Sequence, residues 1–248
     1  MRFVVLPVLL IFVFSCAQQE KPTSISLNNY FTYSDGVESA GIRLIPIQTP
    51  IGEFKVWTKR FGNNPKIKIL LLHGGPAMTH EYMECFETFF QREAFEFYEY
   101  DQLGSYYSDQ PKDSSLWTTE RFVEEVEQVR QAIGADSTNF YVVGNSWGGI
   151  LAMEYALKYQ QHLKGMVVAN MMASAPEYGK YADEVLAKQM KPEVLEEITA
   201  IEAKKDFGNP RYMELLIPHF YREHLCRLEE WPDGFNRAMK HVNGEVYT

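Results

Sequence analysis

The most restrictive feature of this chain is Gly144-Asn145-Ser146-Trp147-Gly148-Gly149, set between an apolar run, Phe140 to Val143, and a helically patterned segment, Ile150 to Tyr159. Glycine two places either side of a serine suits a strand-to-helix bend so tight that side chains there would collide. Such a bend lifts the Ser146 hydroxyl above the end of a sheet. It also aims the Trp147 N–H at the same spot, beside the positive end of the following helix. Gly149 lets that helix pack closely.

The rest of the chain supplies a sheet to match. Ile42 to Thr49 and Glu53 to Lys59 alternate apolar and polar residues around Thr49-Pro50-Ile51-Gly52, the pattern of an antiparallel hairpin. Lys66 to Leu72 ends as an unbroken apolar run, as inner parallel strands do. The spacing of Tyr82, Phe86, Phe89 and Phe90 predicts a helix over 79–93, and a strand follows over Phe95 to Tyr100. Thr119 to Ile133 places Phe122, Val126, Val129 and Ile133 on one helical stripe, with Thr119 as the expected cap. Gly165 to Ala169 returns to strand. Repeated strand-then-helix with apolar inner strands predicts an α/β fold: a doubly wound, mostly parallel sheet with helices on both faces. Ligands of such sheets bind beyond the carboxyl ends of the strands, where the loops 73–77, 101–108 and 144–149 converge.

Composition narrows the function. With 24 basic against 33 acidic residues the net charge is −9, so no nucleic-acid partner is expected. There is no dinucleotide fingerprint or phosphate loop, and no cofactor is expected. Neither His219 with His224 nor His73 with His80 has metal-ligand spacing, so no metal is expected either. Three cysteines do not make a disulfide framework. Cys85 and Cys226 are expected to be buried free thiols.

The second chemical motif is His73-Gly74-Gly75-Pro76, directly after the third strand. Its glycines leave backbone N–H groups unobstructed, and Gly75 is the expected second oxyanion donor beside Trp147. His73 is expected to hold this loop, and Asp101 to form the turn after its strand. Together with Asp101-Gln102-Leu103-Gly104-Ser105 and the Ser146 segment, these residues resemble the proline iminopeptidase family of α/β-hydrolases, peptidase family S33. The resemblance runs from about residue 35 to the end and includes Tyr221 to Pro232. It implies an aminopeptidase that releases an N-terminal residue, typically proline, from peptides by acyl-enzyme chemistry at Ser146. The chain departs from the family pattern at Ala77, where glycine is common, and at Tyr106 and Tyr107.

A serine hydroxyl needs a base, and the base a carboxylate, which in this fold follow the serine in chain order. Downstream lie His162, His219, His224 and His241 with Asp183, Asp206 and Asp233, and none follows an apolar strand. From residue 174 on the pattern is helical: Tyr181 to Met190, Val194 to Lys205, Arg211 to Cys226 and Gly234 to Val242, with Pro192 in a first turn. The expectation is a core over 35–173 holding strands 1–6, then an incomplete helical cap over 174–248. The last strands, the triad Asp and the triad His are expected beyond Thr248, leaving apolar sheet edge uncovered. A chain ending there is expected to be inactive as it stands. Glu177, Glu184 and Glu245 are open choices for gripping the substrate's amino group.

Met1-Arg2, the uncharged run Phe3 to Phe14, and Ser15-Cys16 resemble a bacterial lipoprotein signal, an ordinary signal peptide being the alternative. The run is shorter than the roughly 20 residues a membrane-crossing helix needs. Residues 1–15 are then a signal, Cys16 the lipidated residue and 16–34 a tether, which implies a membrane-lipid partner and a lipid-anchored place in the bacterial cell envelope. The expected substrate is a peptide or a small amide or ester. An esterase or amidase of the same fold, or a non-catalytic binding protein of the envelope, remain as alternatives.

Overall fold

The computed structural model describes residues 41–247. The expectations for the signal, Cys16 and the 16–34 tether lie outside them. Six strands form one sheet in the order β1-β2-β4-β3-β5-β6. They are β1 (Ile42–Thr49), β2 (Gly52–Phe61), β3 (Lys68–Leu72), β4 (Glu96–Asp101), β5 (Phe140–Asn145) and β6 (Gly165–Ala169). The β1–β2 hairpin is antiparallel and closes at Thr49 opposite Gly52. β2 runs antiparallel to β4, whereas β3, β4, β5 and β6 are mutually parallel, as the apolar runs require.

Strand alternation divides the core between the two faces. Leu70 and Leu72 of β3, Tyr98 and Tyr100 of β4 and Val142 of β5 pack on one side. There α2 (Thr119–Ala132) and α3 (Trp147–Tyr159) cover them with Phe122, Val126, Val129, Leu151 and Tyr155. Ile69, Leu71, Phe97 and Val143 point the other way, against Met83, Tyr82, Phe86 and Phe90. With helices on both faces, this is the doubly wound α/β sheet expected from the pattern.

Several local expectations need correction. The 79–93 helix is divided into a 3-10 turn, His80–Glu84, and a short α-helix, α1 (Cys85–Arg92). Thr79 caps the turn by accepting from the Glu81 N–H, Asp101 Oδ1 accepts from the His80 N–H, and the α-helical ladder begins only at Cys85. Phe89, expected on the apolar stripe, is 62% exposed. The cap of α2 is Thr118, whose side chain accepts from the Arg121 N–H, in place of Thr119. Cys85 is a free thiol but an exposed one, and Cys226 is free and half-buried, so neither is the buried core residue expected.

β6 lies at the edge of the sheet, and its apolar residues stand open, Val167 at 55% exposure. Besides the single turn Arg222–His224, the following α-helices are α4 (Ala175–Tyr181), α5 (Pro192–Glu202), α6 (Pro210–Leu216), α7 (Asp233–His241) and α8 (Gly244–Tyr247). Of these, α5 and α6 share a small core of Val194, Ile198, Ile201, Leu215 and Leu216. The long helix expected over Arg211 to Cys226 widens into a π-turn at Ile217–Tyr221, around Pro218, which has no N–H to continue the ladder.

Candidate active site

β5 ends at Asn145 and α3 begins at Trp147, so Ser146 alone makes the bend. Its backbone sits at φ 54° and ψ −123°, a conformation that costs a non-glycine residue about 1–3 kcal/mol. The surroundings hold it there: the Ser146 N–H donates to Ala169 O at 3.0 Å, and the Ser146 carbonyl accepts from Gly149 N–H at 2.8 Å. A side chain on Gly144 would overlap the Gly148 carbonyl, and one on Gly148 would overlap that of Leu72. Gly149 has Met171 Cγ 2.7 Å from where a Cβ would stand. The flanking glycines are thus a steric condition for the bend. Ser146 is half-buried, in partial contact with solvent.

The 73–77 loop lies directly against this bend. A Cβ on Gly74 would stand 3.1 Å from Ser146 Cβ and 3.3 Å from the Tyr82 hydroxyl. The Gly74 N–H donates to Tyr82 Oη at 2.7 Å, and that hydroxyl donates to Asn145 Oδ1 at 3.0 Å. Gly75, at φ 119°, is where the chain turns away. Among the described residues neither the Gly75 N–H nor the Trp147 N–H has an acceptor. Two free amides therefore lie in the segments flanking the Ser146 hydroxyl.

His73 is fully buried, and both its ring nitrogens are engaged: Nδ1 with Gly74 O at 2.8 Å, and Nε2 accepting from the Gln102 N–H at 3.1 Å. Burial pulls its pKa down to about 4 against the opposing charge of Asp101, so the ring is neutral at pH 7. Gln102 completes the lock, donating to His73 O at 3.0 Å and accepting from the Trp147 indole N–H at 3.0 Å. Asp101 acts as the turn anchor expected of it. Its Oδ1 accepts from both His80 N–H and His80 Nδ1–H at 2.8 Å, and its Oδ2 accepts from Tyr107 N–H at 3.3 Å.

The end of the helical segment returns to these loops. The Asn243 N–H donates to Ala77 O at 3.0 Å, and its side-chain amide donates to Gly104 O at 2.9 Å. His241 bonds Glu81 at 2.7 Å and stacks on Tyr106 with ring centroids 4.0 Å apart. Arg237 bonds Glu81, Glu84 and Asp233. Burial pushes the Glu81 carboxyl up, but bonds from His241, Thr79 and Arg237 outweigh it and leave the group ionised below the usual range.

Of the three glutamates left open for the substrate's amino group, Glu177 and Glu184 are exposed. Glu245 pairs with Lys112 at 2.5 Å, and none of the three is hydrogen-bonded to the bend or to the 73–77 loop. Among the described residues no imidazole or carboxylate is hydrogen-bonded to the Ser146 hydroxyl: His162 bonds Glu127, His241 bonds Glu81, and His224 packs on Phe220. The described residues contain no cluster of three or more His, Cys, Asp or Glu able to hold a metal ion. The local sequence does not mark Tyr82, His80 or Asn243 as residues that hold the site. Tyr82 reads there as one more apolar position on a helical stripe, and nothing local marks the partners of the other two.

Residues 68–239 match the family model of the alpha/beta hydrolase fold. The proline iminopeptidase of Flavobacterium johnsoniae is 84% identical over 205 residues, which cover 83% of this chain and 69% of that protein. Among solved structures, VinJ superposes with a TM-score of 0.74 at 28% identity, over 82% of this chain and 69% of that one. The proline iminopeptidase of Mycobacterium smegmatis superposes with a TM-score of 0.69 at 27% identity, over 83% and 69%. A strained serine bend, a Gly-Gly loop against it and this degree of identity lead to one assignment: the chain belongs to the proline iminopeptidase family of α/β-hydrolases.

Proposed function

We propose that this chain carries the nucleophile and oxyanion donors of a serine aminopeptidase that releases N-terminal proline from peptides. Ser146 Oγ attacks the carbonyl carbon of the N-terminal residue as its proton passes to a general base. The carbonyl oxygen becomes an oxyanion between the Gly75 and Trp147 N–H groups. Collapse expels the protonated amine of the shortened peptide and leaves an ester on Ser146. Water then attacks that ester and frees the amino acid. The observation that carries the reading is the pair of amides without acceptors flanking a positive-φ serine, in a chain of this family. Gly74 supports the choice of Gly75, because its own N–H is already given to Tyr82. No described residue is assigned as the base.

The test compares hydrolysis of a prolyl arylamide with that of a short-chain ester, using the chain itself and a chimera with the rest of the Flavobacterium johnsoniae protein appended after Thr248. Arylamide hydrolysis abolished by Ser146→Ala supports the proposal. Ester hydrolysis alone, or activity that survives Ser146→Ala, overturns it.

The N-terminal segment supports a second part of the proposal. Cys16 carries a lipid, and the catalytic domain is held at a membrane surface of the bacterial envelope through the 16–34 tether. Met1-Arg2, the Phe3 to Phe14 run and Ser15-Cys16 support this. Labelled fatty acid incorporated by the wild type and lost in Cys16→Ser is the expected result; equal labelling of both overturns it.

A further inference from the structure

The hydroxyl of Tyr82 occupies an unusual position. It lies between the loop that carries one proposed oxyanion donor and the residue that precedes the nucleophile, and it bonds both. It accepts from Gly74 N–H at 2.7 Å and donates to Asn145 Oδ1 at 3.0 Å. Gly74 is in turn the residue whose missing side chain lets the loop rest against Ser146 Cβ. The position of Tyr82 is itself well determined. It sits in the 3-10 turn fixed at one end by the Thr79 cap and by the His80–Asp101 bonds, and its ring packs in the core with Phe86 and Met83.

This arrangement does two things to the Gly74-Gly75 pair. It removes the Gly74 amide from competition for a ligand oxygen, since that N–H already has a short, well-formed bond. It also sets the loop's height over the bend, because one oxygen atom links Gly74 on the β3 side to Asn145 on the β5 side. Oxyanion stabilisation depends on donors lying 2.7–3.1 Å from where the charge develops, so a small displacement of the loop is felt in the transition state before it is felt in substrate binding.

We propose that Tyr82 is a positioning residue for the oxyanion hole: through its hydroxyl, the bridge between Gly74 N–H and the Asn145 side chain holds the Gly75 N–H in register with the Trp147 N–H over Ser146. This rests on the reading of Gly75 and Trp147 as the oxyanion donors. Phenol ionisation plays no part, because burial pushes the Tyr82 hydroxyl well above its usual range and keeps it neutral.

The test uses Tyr82→Phe, which removes one oxygen atom and leaves the ring packing in place, in whichever of the two forms above hydrolyses the prolyl arylamide. The expected result is a fall in kcat of about tenfold or more, smaller than the 10²–10³-fold loss from deleting a donor outright. KM stays within twofold, and the second-order rate of fluorophosphonate labelling falls with kcat. Asn145→Ala, which frees the hydroxyl on its other side, lowers kcat severalfold with the same split and decides the question alone if Tyr82→Phe does not fold. A kcat within twofold of wild type, or a loss confined to KM, overturns the inference. Hydrolysis by neither wild-type form overturns the reading beneath it, which is a separate outcome.

Discussion

Glu99 offers a test of how far the sheet beneath the site tolerates charge. It lies in β4, two residues before Asp101 anchors the 101–108 loop, and is fully buried. Neither of its carboxyl oxygens has a hydrogen-bond partner, and the nearest cation, Lys59 Nζ, is 4.0 Å away. Burial first, and the neighbouring charge of Glu87 second, push its pKa up to about 9. The folded protein therefore holds this proton more tightly than the unfolded chain does. The stabilisation is complete below an unfolded pKa of about 4.3 and is lost as pH rises through the folded value. One such proton changes stability by at most about 1.4 kcal/mol per pH unit, or roughly 3 kcal/mol from pH 6 to pH 8. For a domain of this size that is a shift of roughly 5–10 °C in Tm. Glu99→Gln removes the titration and keeps the shape. Thermal melts of wild type and variant at pH 6, 7 and 8, followed by circular dichroism, should show the variant gaining on the wild type by about that amount. Taking the difference cancels the groups that do not interact with Glu99, including His73, whose contribution runs the opposite way over part of this range. Parallel Tm curves across the three pH values would refute the reasoning.

Gly148→Ala should cost about 3 kcal/mol or more, because the new methyl meets the Leu72 carbonyl and no flexible side chain is there to yield; a melt within 2 °C of wild type would contradict this. Asn243→Ala should lower stability by about 1 kcal/mol through loss of the bond to Gly104 O. Hydrogen exchange should then quicken in 101–108 and 241–247 together, and unchanged protection in both segments counts against the link.

The parts of the fold legible in the sequence are those whose signal is local. The Thr49-Pro50-Ile51-Gly52 hairpin, the β3 run Leu70-Leu71-Leu72 and the Ser146 bend each carry their own reason, in alternation, apolar continuity or paired glycines. The parts not legible depend on partners far along the chain. The start of the 3-10 turn at His80 is held by Asp101, across a separation that no periodicity records. Cys85 falls at the junction of the 3-10 turn and α1, so the rotation of the ladder there turns it outward. Tyr82 looks apolar by spacing, and its ring does pack in the core; only its hydroxyl reaches the site. Asn243 lies more than a hundred residues from both carbonyls it holds.

Covalent labelling tests the central claim most directly. Whichever of the two forms hydrolyses the prolyl arylamide is treated with a fluorophosphonate, digested and mapped by mass spectrometry. The account predicts a single adduct, on the peptide containing Ser146, that disappears in Ser146→Ala and forms more slowly in Tyr82→Phe. An adduct on another residue, or one of equal yield in Ser146→Ala, contradicts it.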